Sequence, residues 1–150
     1  MATKHRGPLR ETRALDAYVA LMRAGEAVTA RTHGHLASAK LTIGQFGALE
    51  ALYHLGPLRT TVLARKLLRS PGNMTTVLDN LERQGLVRRT QEEGDRRCTT
   101  VSITAKGAAL MREVFPRHAD GLARELAVLT PEEQDELIRL CRKLGKGDVS

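Results

Sequence analysis

Tryptophan is absent from the 150 residues, and Tyr18, Phe46, Tyr53 and Phe115 are the only phenyl and phenol rings. Proteins that grip single-stranded nucleic acid stack bases on such rings, so any nucleic-acid partner of this chain is expected to be a duplex. Cysteine is nearly absent too. Cys98 and Cys141 stand far apart, in no CxxC or zinc-ligand spacing, which fits a reducing cytoplasm. No apolar run approaches the roughly 18 residues of a membrane span. The start, MATKHRGPLRETR, lacks the apolar segment of a signal peptide. A soluble cytoplasmic protein with no membrane partner is expected. There is no GxSxG, P-loop, HExxH or paired Cys, and the acidic residues cluster on helix surfaces, so neither catalysis nor a cofactor is expected. His33 and His35 stand i, i+2, which on one helix faces them apart, so no metal site is expected either.

Positive charge is plentiful and unevenly placed. Basic side chains outnumber acidic ones seven to three over residues 1–40 and nine to five over 58–103, whereas 41–57 hold none against one and 104–150 hold eight of each. An even solubility coat would not concentrate its excess in two stretches, so a polyanionic partner is expected. The length suits one domain, alone or with dimerisation helices added to it.

The second basic stretch contains SPGNMTTVLDNLER, residues 70–83. Ser70 can cap a helix that Pro71 opens, and Gly85 is a natural stop. Met74, Val77, Leu78 and Leu81 fall at i, i+3, i+4, i+7 and define a buried face. Asn73, Thr76, Asn80 and Arg83 form the opposite row, able to bond base edges or phosphates and free of carboxylates. Ahead of it, Thr60 or Thr61 opens a short helix through Leu68. Two short helices joined by Arg69-Ser70-Pro71-Gly72 read as a helix-turn-helix. Two strands, 86–90 and 99–103, follow, joined by the charged run 91–97, and such a hairpin after a helix-turn-helix is a wing.

The flanks are helical. Residues 1–10 read as a basic arm. From about Glu11 to Ala39 the stripe Leu15, Tyr18, Met22, Gly25, Val28 or Thr29, Thr32, Leu36 predicts one helix of eight turns whose apolar side meets another subunit. Thr42 and Gln45 form a capping box, Leu41 and Phe46 a hydrophobic staple, and together they predict a helix from Ile43 to His54 ending at Gly56-Pro57. Leu58-Arg59 reads as a short extended piece. Thr104 caps a second long helix, which Pro116 should bend or break. Thr130-Pro131-Glu132-Glu133 opens a last helix that stops at Gly145. The fold expected is mainly α with a small β-wing: a winged helix-turn-helix over 41–104, flanked by dimerisation helices over 11–40 and 105–146 of the single chain 1–150.

The runs LTIGQFGALEAL, LARKLL, VLDNLERQGLVRR, GDRRCTTVSIT with AKG after it, and LTPEEQDEL resemble, in this order, the MarR family of winged-helix regulators. The resemblance implies a homodimer with interlocked terminal helices, two winged helices in successive major grooves of a pseudo-palindromic operator, and repression relieved by a small molecule or oxidant. It also implies that Arg97 at the wing tip enters the minor groove, that Asp95 orients its guanidinium, and that Arg96 meets phosphate. Members often carry a basic residue where Pro71 and Thr76 stand, a departure that bears on base preference. The SPGNMT run is similar to a branch responding to phenols and quinones.

The expected DNA contacts are therefore Asn73, Thr75, Thr76 and Asn80 for bases or phosphate, Thr60, Thr61 and Arg83 for phosphate, Ser70 and Gly72 at the helix start, and Asp95, Arg96 and Arg97 on the wing. The resemblance places an effector cavity where the first two helices meet the winged domain, with Tyr18, Met22, Arg31, His35, Phe46 and Tyr53 as the groups able to hold a phenol or aromatic acid. Two alternatives stand beside this reading. One is a winged helix used for protein assembly, whose reading row should be apolar or acidic. The other is a thiol-based redox regulator acting through Cys98, where flanking arginines favour the thiolate.

Overall fold

Seven helices and three strands can be traced in the computed structural model, which describes residues 3–67 and 69–147, with the side chains of all of these except Pro71 and Arg96. They are α1 (Leu9–Thr32), α2 (Gly34–Ser38), α3 (Ile43–Leu55), β1 (Leu58–Arg59), α4 (Thr60–Lys66), α5 (Pro71–Arg83), β2 (Val87–Glu92), β3 (Asp95–Ile103), α6 (Ala105–Leu126) and α7 (Pro131–Lys146). None of them is long and apolar enough to cross a membrane. Contacts divide the chain into a winged unit, His33–His118, and a second unit made of the described residues up to Thr32 and from Ala119 on.

The winged unit is built around side chains that the helical and strand periods select. Leu49 and Leu52 of α3, Leu63 of α4, Met74, Leu78 and Leu81 of α5, Val101 of β3 and Met111 of α6 are almost completely enclosed. Burying each such aliphatic chain contributes about 1.5–3 kcal/mol, so this core dominates the unit's stability. The sheet has the order β1-β3-β2, all antiparallel, with Val101 opposite both Leu58 and Arg89. The expected extended piece at Leu58-Arg59 is thus an edge strand on the wing. The capping box of α3 is complete: Thr42 Oγ1 accepts from Gln45 N, and Gln45 Oε1 accepts from Thr42 N.

Several expectations are corrected. The first helix is not continuous to Ala39: α1 ends at Thr32, whose hydroxyl donates back to Val28 O at 2.8 Å, and a new short helix starts after His33. Gly34 favours the break, and it lets Leu36 leave the α1 stripe for the core of the winged unit. Helix α4 does open at Thr60, with Arg59 as its N-cap and no side chain capping it, while its expected end, Leu68, lies outside the described residues. The strands are longer than expected and leave only a tight turn at Glu93-Gly94, where Gly94 has φ +85°. Cys98 accordingly stands inside β3. Pro116 does not break α6, which runs through it. The last helix ends on left-handed Gly147, not Gly145.

In the second unit, Arg31 Nε donates to Glu125 Oε2 at 2.6 Å and Gln134 Nε2 donates to the carbonyls of Leu126 and Leu129. Its apolar surface is largely uncovered. Leu15, Tyr18, Leu21 and Met22 of α1 and Leu137, Ile138, Leu140 and Leu144 of α7 are exposed, and α7 buries no residue at all.

Candidate nucleic-acid interface

Helix α5 is fixed at both ends and along one face. At its start Ser70 Oγ accepts from Asn73 N at 3.3 Å. At its end Gly85 takes φ +75°, which lets Leu86 N return to Leu81 O at 2.9 Å. The same turn is clasped by the start of α6: Thr104 Oγ1 donates to Gly85 O at 2.6 Å, and Lys106 Nζ donates to Gln84 O at 2.8 Å. Met74, Val77, Leu78 and Leu81 are buried as their spacing requires. The opposite row is therefore held in one orientation. Asn73, Thr75, Thr76 and Arg83 are exposed and Asn80 is half-buried. Arg83 Nη1 donates to Asn80 Oδ1 at 2.9 Å, and Thr76 Oγ1 donates to Gly72 O at 3.3 Å.

Nearby carboxylates are engaged within the unit. Arg89 of β2 donates to Asp79 at 2.6 Å and to Glu82 at 3.0 Å, while its own N–H meets Glu82 at 3.0 Å. These bonds hold the Glu82 carboxyl below its ordinary range. Arg59 makes a two-pronged pair with Glu92 at 2.9 and 3.0 Å. Both pairs moderate negative potential beside the polar row, and neither arginine stood out in the sequence, because Arg59 meets Glu92 across the sheet and Arg89 meets Asp79 and Glu82 only where β2 packs beside α5. The helix neighbourhood keeps a positive balance, as binding a polyanion requires.

At the wing, Asp95 Oδ1 accepts from Arg97 N at 3.0 Å and stands 3.6 Å from Arg97 Nε. Asp95 thus shapes the turn chiefly through the backbone, and the Arg97 side chain stays 94% exposed. The side chain of Arg96 lies outside the described residues. Cys98 Sγ donates to Asp95 Oδ2 at 3.4 Å, and this bond, more than burial, pushes its thiol above the ordinary range. The expected thiolate is corrected: a carboxylate, rather than the flanking arginines, is the decisive neighbour.

The six effector candidates fall in different units. Tyr18, Met22 and Arg31 belong to the second unit, the first two exposed and the third paired with Glu125. His35, Phe46 and Tyr53 belong to the winged unit. Phe46 is core, Tyr53 packs edge-on against His54, and His35 lines a cavity of about 310 Å³ with Ser38, Lys40, Glu113 and Arg117 among its walls.

A capped, one-sidedly buried reading helix preceded by a short helix and followed by a charged hairpin defines a winged helix-turn-helix DNA-binding protein. Comparison narrows the class. The MarR family model matches residues 41–99. The transcriptional regulator MhqR of Bacillus subtilis is 31% identical over 133 residues, 89% of this chain and 92% of that protein. Among solved structures, NadR in complex with 4-hydroxyphenylacetate superposes with a TM-score of 0.77 at 25% identity, covering 99% of each chain. Sco3205 of Streptomyces coelicolor, a MarR family regulator in complex with DNA, does so with a TM-score of 0.84 at 24% identity, over 95% of this chain and 91% of its own. The chain belongs to the MarR family of DNA-binding transcriptional regulators, and is not an enzyme.

Proposed function

We propose that the chain is a repressor that binds a pseudo-palindromic duplex operator as a homodimer and releases it when a small phenol or aromatic acid binds. The observation that carries the reading is the carboxylate-free polar row of α5, held outward by the buried face behind it. In this role Asn73, Thr75, Thr76 and Asn80 meet base edges or phosphate, asparagine by paired bonds to adenine. Thr60, Thr61, Ser70, Gly72 and Arg83 set the register on the phosphates. Arg97, and Arg96 beside it, serve the minor groove and its rim. A protein-assembly role would call for an apolar or acidic row instead.

The homodimer rests on the uncovered leucines, isoleucine and tyrosine of α1 and α7, an apolar surface too extensive for helices left in water. The ligand class rests on NadR, whose solved complex holds a phenolic acid. His35, beside a cavity that Lys40 and Arg117 also line, is the candidate best placed for a carboxylate. The test is fluorescence anisotropy of a labelled operator duplex titrated with salicylate, 4-hydroxyphenylacetate and hydroquinone. One of them should lower DNA affinity about 5–150-fold, the usual range of coupling, and the duplex should weaken that ligand by the same factor. A panel that changes neither duplex affinity nor melting temperature removes the ligand from the account.

A further inference from the structure

Three of the five histidines meet at the two ends of the winged unit. His33 is its first residue, His118 its last, and His35 lies in α2. The ring centroids are 5.6 Å apart for His33 and His118, 5.5 Å for His35 and His118, and 6.4 Å for His33 and His35. Phe46 packs on His118 at 4.6 Å, and His118 is only 7% exposed. Each ring has one buried nitrogen without a hydrogen-bond partner: His33 Nδ1, His35 Nε2 and His118 Nδ1. Buried polar atoms are rarely left so, and three in one cluster are not what packing alone selects, since leucines would fill the space without forfeiting bonds to water.

We propose that His33, His35 and His118 form a binding site for a divalent transition-metal ion such as zinc or cobalt, with a fourth coordination position left for water or a small anion. The spacing argues for it. At metal–nitrogen distances of roughly 2.0–2.1 Å, three imidazoles on a tetrahedral ion have ring centres roughly 5.2 Å apart. The observed separations exceed this by about 0.3–1.2 Å. As the rings stand, no three His, Cys, Asp or Glu side chains among the described residues present donors to one point. Ligation therefore requires the rings to turn about their Cβ–Cγ bonds, and the cavity beside His35 gives that ring room.

Imidazole donors without thiolate favour zinc, cobalt, nickel or copper over magnesium or calcium. The i, i+2 objection to a site at His33 and His35 does not hold, because His33 is the N-cap of α2 and not part of a continuous helix. The third ligand arrives from α6, a distance in sequence that no motif signals. A bound ion would tie the first and last residues of the winged unit to each other.

The experiment is a titration of Zn²⁺, and separately Co²⁺, into tag-free full-length protein in the absence of any organic acid, followed by calorimetry and by the visible bands of Co²⁺. The expected result is one ion per chain at micromolar affinity, tetrahedral Co²⁺ bands, and a raised melting temperature. His33→Gln and His35→Gln, both half-buried positions, each weaken uptake by at least about tenfold, the lower limit for losing even an outer-shell partner. His5→Gln and His54→Gln leave it unchanged. His118→Gln tests the third ligand if its circular dichroism stays native, while the first two variants keep the test decisive if it does not. No saturable uptake, or uptake equal in His33→Gln, His35→Gln and the unaltered protein, overturns the site.

Discussion

Gly107→Ala should lower the stability of the winged unit by about 3 kcal/mol, at the upper end of what forced overpacking costs. A Cβ at this position would overlap the carbonyl oxygen of Leu86 and stand 2.7 Å from Ile103 Cγ1 and 3.1 Å from the Leu86 carbonyl carbon. The nearest obstacle is backbone, so no side-chain rotation relieves it. That same carbonyl accepts from Thr104 N at 3.0 Å, and Thr104 in turn clasps the end of α5. Helix α6 must therefore move away from the end of the reading helix, and DNA affinity should fall along with stability. For a unit of this size the melting temperature should drop by more than about 10 °C. A melt unchanged by the substitution would mean that α6 does not pack against the Leu86 carbonyl as described. The glycine of the AKG run thus has a physical reason: only a residue without Cβ lets α6 start against the Leu86 carbonyl.

Arg97→Ala has the opposite signature. It should weaken operator binding by about 1–3 kcal/mol, roughly 5–150-fold, and relax the preference for A·T pairs where the wing meets the minor groove. The melting temperature should not change, because the Arg97 side chain is 94% exposed and its ion pair with Asp95, at 3.6 Å, is too long and too solvated to matter for stability. Asp95 keeps its role in the turn through the backbone N–H of residue 97, which alanine retains. Anisotropy and thermal melting on the same preparation decide it. Equal losses in both would make Arg97 a structural residue of the hairpin.

Much of the architecture was readable because its signals are local. Ser70 with Asn73, Thr42 with Gln45 and Thr130 with Glu133 are caps written within four residues, and each is formed. The buried face of α5 followed from the helical period alone. What was not readable depends on partners distant in the chain. The stripe of the first helix runs on to Leu36 in sequence, yet Leu36 belongs to another core, and only that core explains the break at His33. The pair Arg59–Glu92 exists because the strands set their register, and Arg89–Asp79 because β2 packs beside α5. Cys98 read as an activated thiol from its arginine neighbours, whereas the hairpin turns Asp95 toward its sulfur. Pro116 read as a bend or a break; it is not a break, since a helix anchored at its N-terminal end and buried along Met111, Val114 and His118 tolerates one missing backbone bond.

The central claim, that a homodimer presents two copies of α5 to successive major grooves, is tested most directly by selecting binding sites from a pool of random duplexes and measuring the stoichiometry of the selected complex by sedimentation. The account predicts an inverted repeat with half-site centres about 10–10.5 base pairs apart, one helical turn, bound by two chains. A pool that does not enrich, or a single asymmetric site occupied by one chain, would contradict it.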